Sequence, residues 1–145
     1  MSVYNRILAI VDLSADSAAV ALRATQLAET HGAKLTLFHV VEFMPVEPLS
    51  DSLLPTVQIE ADLLQTARQR IATLAGTLGS PAPAWEVCAG VAKTEVVRFA
   101  RSGNFDLIVV GSHERHGLSI LVNLTEDTVL HAAPCDVLAV RLQPA

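Results

Sequence analysis

Two unbroken apolar runs constrain this chain more than any other feature. Arg6–Val11 reads RILAIV and meets Asp12, and Leu107–Val110 reads LIVV and is closed by Gly111. A strand with one wet face alternates apolar and polar residues. A continuous run therefore predicts a strand covered on both faces, as in a parallel sheet with helices above and below. A glycine directly after the second run would let the chain turn sharply and let a ligand approach the backbone. Ligands of open α/β sheets sit beyond the carboxyl ends of the strands. The stretch Asp106–Asn123, DLIVVGSHERHGLSILVN, is accordingly the candidate site.

The other segments fall into alternation around these runs. Ser14 and Asp16 are suitable helix caps, and Ala18, Ala21, Leu22, Thr25 and Ala28, with Leu27 alongside, form an apolar stripe that ends at Gly32. Lys34–Val41 (KLTLFHVV) is a second strand. Glu42–Pro55, with three prolines, reads as a long loop. A long helix is expected from Thr56 to about Leu78, burying Leu64, Ala67, Ile71, Leu74 and Leu78. Ala84–Cys88 is a short third strand, and Val91–Arg101 a helix with Val96, Val97 and Ala100 inward. After the strand at Leu107, a helix over Thr125–Ala132 is stopped by Pro134, and Val137–Leu142 is a fifth strand. Five strands alternating with helices predict one α/β domain over residues 1–145 with a parallel sheet.

Charge and composition exclude several classes of partner. The formal net charge is −5 and no two basic residues are adjacent, so nucleic acid and anionic membranes are poor partners. With one Trp, one Tyr and four Phe, a stacking platform for single strands is not expected either. The N-terminal apolar run is too short for a signal peptide, and no run reaches membrane-spanning length. Two cysteines, Cys88 and Cys135, do not make a disulfide framework. The expected compartment is the cytoplasm.

Enzyme motifs are missing. Gly117-Leu118-Ser119 lacks the final glycine of a nucleophile elbow. Gly90-Val91-Ala92-Lys93-Thr94 has no glycine before the lysine and reads as a helix start rather than a phosphate loop. No G-x-G-x-x-G follows the first strand. His113 and His116 lack the spacing of a zinc helix and have Arg115 between them, so no metal site is expected. His39 and His131 read as structural, and no Ser–His–acid set can be assembled. Asp12 is more telling: a carboxylate ends the first strand beside a helix start, as a plain cap or as a ligand contact at the sheet edge.

Four segments together resemble the universal stress protein family: Ile7–Ser14 (ILAIVDLS), Leu37–Val40 (LFHV), Asp106–His113 (DLIVVGSH) and Ala133–Val140 (APCDVLAV). The resemblance implies a Rossmann-like, adenine nucleotide alpha hydrolase-like sheet of order 3-2-1-4-5. Nucleotide-binding members hold ATP between the first and fourth strands through G-x-x-G, nine residues, then G-[ST]. By that resemblance Val11 and Asp12 border the ribose or metal region and Val40 the adenine. Gly111, Ser112, His113, Glu114, Gly117, Asn123, Leu124 and Thr125 stand along the phosphate loop.

This chain departs from that pattern. Glu114 replaces the second glycine, and the distal Gly-Ser/Thr falls on Asn123-Leu124 or Leu124-Thr125. A carboxylate beside phosphate oxygens repels, and a Cβ blocks close approach. The resemblance is therefore to the universal stress protein A type, a non-catalytic stress-response protein that does not bind ATP strongly. No cofactor is expected on this reading. The alternative is an ATP-binding member or weak ATPase using Asp12, Gly111, Ser112 and Thr125. The family also implies a homodimer through the last strand, Val137, Leu138, Ala139 and Val140, with an unknown protein partner beyond it.

Overall fold

The computed structural model describes residues 3–42, 54–113, 129 and 131–142, with side chains omitted for 54–57 and His113. The elements are β1 (Arg6–Ile10), α1 (Ser17–His31), β2 (Lys34–Val41), α2 (Leu54–Gly76), β3 (Ala84–Ala89), α3 (Ala92–Ser102), β4 (Leu107–His113) and β5 (Asp136–Leu142). All strand pairs are parallel, and the order is β3-β2-β1-β4-β5, as expected. Residues 129, 131 and 132 are helical, within the last predicted helix.

The continuous runs serve two cores at once. Ile7, Ala9, Leu107 and Val109 pack toward α1 and α2 with Ala21, Ala24, Ala67 and Ile71. Leu8, Ile108 and Val110 pack on the other face with Val96 and Ala100 of α3 and Val129. Successive strand residues point to opposite faces, so only an unbroken apolar run satisfies both. Fully burying each such side chain contributes about 1.5–3 kcal/mol. Phe38 joins the second core, stacked on Phe99 with ring centroids 4.3 Å apart.

Several local expectations need correction. The buried face of α1 is Ser17, Val20, Ala21, Ala24 and Ala28, whereas Ala18 is exposed and Leu22 is 53% exposed. Neither Asp16 nor Ser14 caps α1 in the usual way: Asp16 stands at the cap position without a side-chain cap bond, and the Ser14 hydroxyl accepts the Asp16 N–H at 3.3 Å. Helix α2 begins at Leu54, ahead of Thr56, with Pro55 in the first turn, where its missing N–H costs nothing. Gly32 ends α1 at φ 63, the left-handed cap that was anticipated.

Gly111 does not turn the chain. It lies within β4, paired with Val140, and the strand continues through Ser112 and His113 beside Arg141 and Leu142. A Cβ at this position would come within 2.8 Å of Leu142 Cδ1 and 3.1 Å of Val20 Cγ2. Glycine suits this position through close packing rather than through a bend.

Candidate functional site

The carboxyl ends of β1, β2 and β4 open on a cavity of about 400 Å³. Val11 and Asp12 from the exit of β1, Val40 from β2 and Gly111 from β4 all line it. The start of α1 contributes Asp16, Ser17 and Val20, and the start of α3 contributes Ala92 and Val96. Parallel strands leave their carboxyl ends together. The crossovers on either side of β1 run to opposite faces, which leaves a crevice there. Four of the residues singled out in the sequence are thus brought together.

Ser112 is half-buried in β4 beside Gly111 but is not among the residues that line the cavity. For His113 only the strand position is described. Glu114, Gly117, Asn123, Leu124 and Thr125 lie outside the described residues.

Asp12 is held by its own loop. Its Oδ1 accepts the Ser14 N–H at 3.0 Å, the Ser14 hydroxyl at 2.6 Å and the Ser17 hydroxyl at 2.8 Å. Desolvation works to raise its pKa, but the combined hydrogen bonds from Ser14 and Ser17 outweigh it and hold the carboxyl below its ordinary value. The group is therefore ionised at neutral pH. Ser17 is buried because it serves this carboxylate, a role that cap propensity alone does not reveal.

The backbone on either side of Asp12 is gripped as well. His39 Nδ1–H donates to the Val11 carbonyl at 2.7 Å, which fixes the imidazole tautomer. The Arg70 guanidinium, from α2, donates to the Leu13 carbonyl. Leu13 has φ 62, a left-handed conformation that costs a non-glycine residue on the order of 1 kcal/mol. His39 is also among the residues that line the cavity.

Sequence reasoning assigned Glu42 to a loop, but it has a definite task. Its Oε1 accepts the Ala92 N–H at 2.8 Å, so it caps α3 from the end of β2. A carboxylate near a helix start is favoured by the unsatisfied N–H groups there. No local signal could have found this, because the two residues are 50 apart in sequence. The rest of that loop, residues 43–53, lies outside the described residues.

Nucleophilic and metal chemistry receive no support among the described residues. Burial first, and then the charges of Glu95 and of Asp136 respectively, push the thiols of Cys88 and Cys135 up, away from the reactive thiolate. No group of three or more His, Cys, Asp or Glu side chains is placed to hold a metal among the described residues. No helix among them is long and apolar enough to cross a membrane.

Comparison with known proteins agrees with this geometry. The model of the universal stress protein family matches residues 3–141. Universal stress protein A homolog 1 of Coxiella burnetii is 38% identical over 141 residues, covering 97% of this chain and 98% of its own. The solved universal stress protein UspA from Lactobacillus plantarum superposes with a TM-score of 0.80 at 26% identity, over 95% of this chain and 98% of its own. A universal stress protein solved in complex with cAMP has a TM-score of 0.64 at 23% identity, covering 98% of this chain and 100% of its own, a likeness of fold alone. With its sheet order, its cavity beside β1 and a match over nearly its whole length, this chain belongs to the universal stress protein family.

Proposed function

We propose that this chain acts in the stress response as a cytoplasmic, homodimeric, non-catalytic binding protein whose carboxyl-edge cavity does not hold ATP strongly. One observation carries this reading. The described lining includes the carboxylates of Asp12 and Glu42 and no lysine or arginine. Each close pair of like charges costs about 1 kcal/mol in water and about 4 kcal/mol at an effective dielectric near 20. A triphosphate brings several such charges at once. Glu114 and the missing distal glycine, read from the sequence, work in the same direction.

The dimer rests on β5. It pairs with β4 along its whole length, and no described strand pairs with its other edge. Val137 and Leu138 are half-buried and Ala139 is exposed, the pattern of an edge that a second copy would cover. At micromolar concentration, sedimentation should give a dimer. A monomer throughout would contradict this part of the reading.

Nucleotide binding is the second reading, favoured by the cavity itself and by a backbone at Gly111 that carries no side chain. Melting curves separate the two, because a ligand of the native state raises the melting temperature. Millimolar ATP with Mg²⁺ should leave melting unchanged. A rise of several degrees, or nucleotide released on denaturation, would favour the second reading. A cAMP arm tests the cyclic nucleotide in the same way.

A further inference from the structure

We propose that Arg70 is a positioning residue of the carboxyl-edge cavity, acting through Leu13 to hold the β1–α1 turn in the setting that brings Ser14 onto Asp12. The inference rests on the reading of that cavity as the working site and adds the residue that keeps its carboxylate in place.

Arg70 is not among the residues that line the cavity. It stands on the other side of the turn, in a groove of about 510 Å³ between the start of α1 and the second half of α2. Leu13, Ser14 and Ser17 line that groove too, so the turn separates two spaces. Arg70 forms no ion pair among the described residues, and its guanidinium donates to the Leu13 carbonyl.

Leu13 is where the turn is strained. Its backbone is left-handed at φ 62, while its side chain is 6% exposed and packs in the core that α1 and α2 share. Burial fixes the side chain without choosing the backbone conformation, and a leucine left to itself returns to negative φ. Inside the turn, the bonds from Ser14 to Asp12 span only two residues and stand where water competes for them. The charge-assisted bond from Arg70 instead ties the turn to a helix of 23 residues. Arg70 is therefore the stronger restraint.

The consequence falls on Asp12. Two of its three bonds come from Ser14, the residue after Leu13, and the third comes from Ser17 on α1. When Leu13 returns to negative φ, the Ser14 N–H and hydroxyl swing off Oδ1 and Ser17 alone remains. Desolvation then outweighs the bonding that is left, and the carboxyl pKa rises. The other titratable groups among the described lining residues are Asp16 on α1, His39 on β2 and Glu42 just after it. They are the same in every variant below and do not account for a difference between them.

The test reads the full chain by NMR, following the Leu13 torsion through its carbon shifts and titrating the Asp12 carboxyl carbon. Arg70→Met keeps an apolar stem and removes the donors. Leu13 should leave positive φ, and the Asp12 midpoint should rise to the ordinary carboxylate value or above it. Arg70→Lys keeps the charge and a donor and should stay closer to the parent. Adding Leu13→Gly to Arg70→Met removes the strain, since glycine adopts positive φ freely, and should bring the midpoint back down. Leu13→Asn, which also tolerates that region, serves if the glycine variant does not fold. This return separates a latch from the plain loss of a nearby positive charge, which a change at Leu13 would not repair. Parent-like torsion and midpoint in Arg70→Met overturn the proposal, as does a turn that moves without Asp12. So does a raised midpoint that neither change at Leu13 lowers. No ligand enters these readings, so their failure leaves the cavity reading intact, whereas silent ligand titrations count against the cavity reading alone.

Discussion

Asp12 and Asp106 stand at opposite ends of the same sheet, and each accepts hydrogen bonds from nearby chain. Asp106, just before β4, uses both oxygens: Oδ2 takes the Asn5 N–H at 2.8 Å and Oδ1 the Arg6 N–H at 3.1 Å. Around it, Arg6 Nε donates to the Gly103 carbonyl at 2.8 Å, and the guanidinium lies 4.9 Å from the Phe105 ring centre. The Tyr4 hydroxyl donates to Asp136 at 2.9 Å. The amino edge is stitched closed. At the carboxyl edge Asp12 collects three bonds on one oxygen and lines a cavity. A carboxylate satisfied on both sides holds two strands together. One satisfied on a single side is positioned for something else.

The largest effect expected from disturbing this contrast is at the cavity floor. Gly111→Val would drive a side chain into Leu142 and Val20 and should destabilise the protein by about 1–3 kcal/mol in urea melts. Loss of stability below about half a kcal/mol would mean that the floor is slack. Next comes the closed edge. Asp106→Ala removes the acceptor from two backbone N–H groups and should cost about 1–2 kcal/mol, with no effect on any ligand of the cavity.

Asp12→Asn should change stability less than either, because its amide oxygen can still accept at the Oδ1 position. Its signature is in the pH dependence. The folded-state pKa lies below the unfolded value, so the contribution of Asp12 is present above the ordinary carboxylate range. It is lost as pH falls through the folded pKa. Acid melts of the Asn variant should therefore lose part of the decline below about pH 4. An identical acid limb would show that Asp12 carries no such linkage. Smallest of all, Leu22→Glu on the exposed side of α1 should stay within about 0.5 kcal/mol of the parent.

That last substitution marks where the sequence misleads. The runs at Arg6 and Leu107, the stripe on α2 and the left-handed Gly32 were legible because each is a local signal with one physical cause. Helix α1 was not, since its alanines give little contrast between faces and Leu22 outweighs Val20 only on a hydrophobicity scale. Its buried face follows from Ser17, which turns inward to reach Asp12. At the site, Asp12 and Gly111 could be placed because each ends an apolar run, whereas Val11 and Val40 followed from the family resemblance. The Glu42–Ala92 cap and the Arg70 grip on Leu13 could not, because each joins residues far apart in the chain. The role of Gly111 was misassigned for a related reason: a glycine after a strand suggests a turn until its neighbours on α1 and β5 are known.

The central claim is that the open carboxyl edge is a ligand cavity from which a triphosphate is excluded by charge. The most direct measurement is a titration of MgATP into the labelled protein, reading the amides of Ser14, Ser17 and Gly111 by NMR. The account predicts no saturable movement of these signals at millimolar nucleotide. Saturable shifts confined to these amides would place ATP against Asp12 and contradict it.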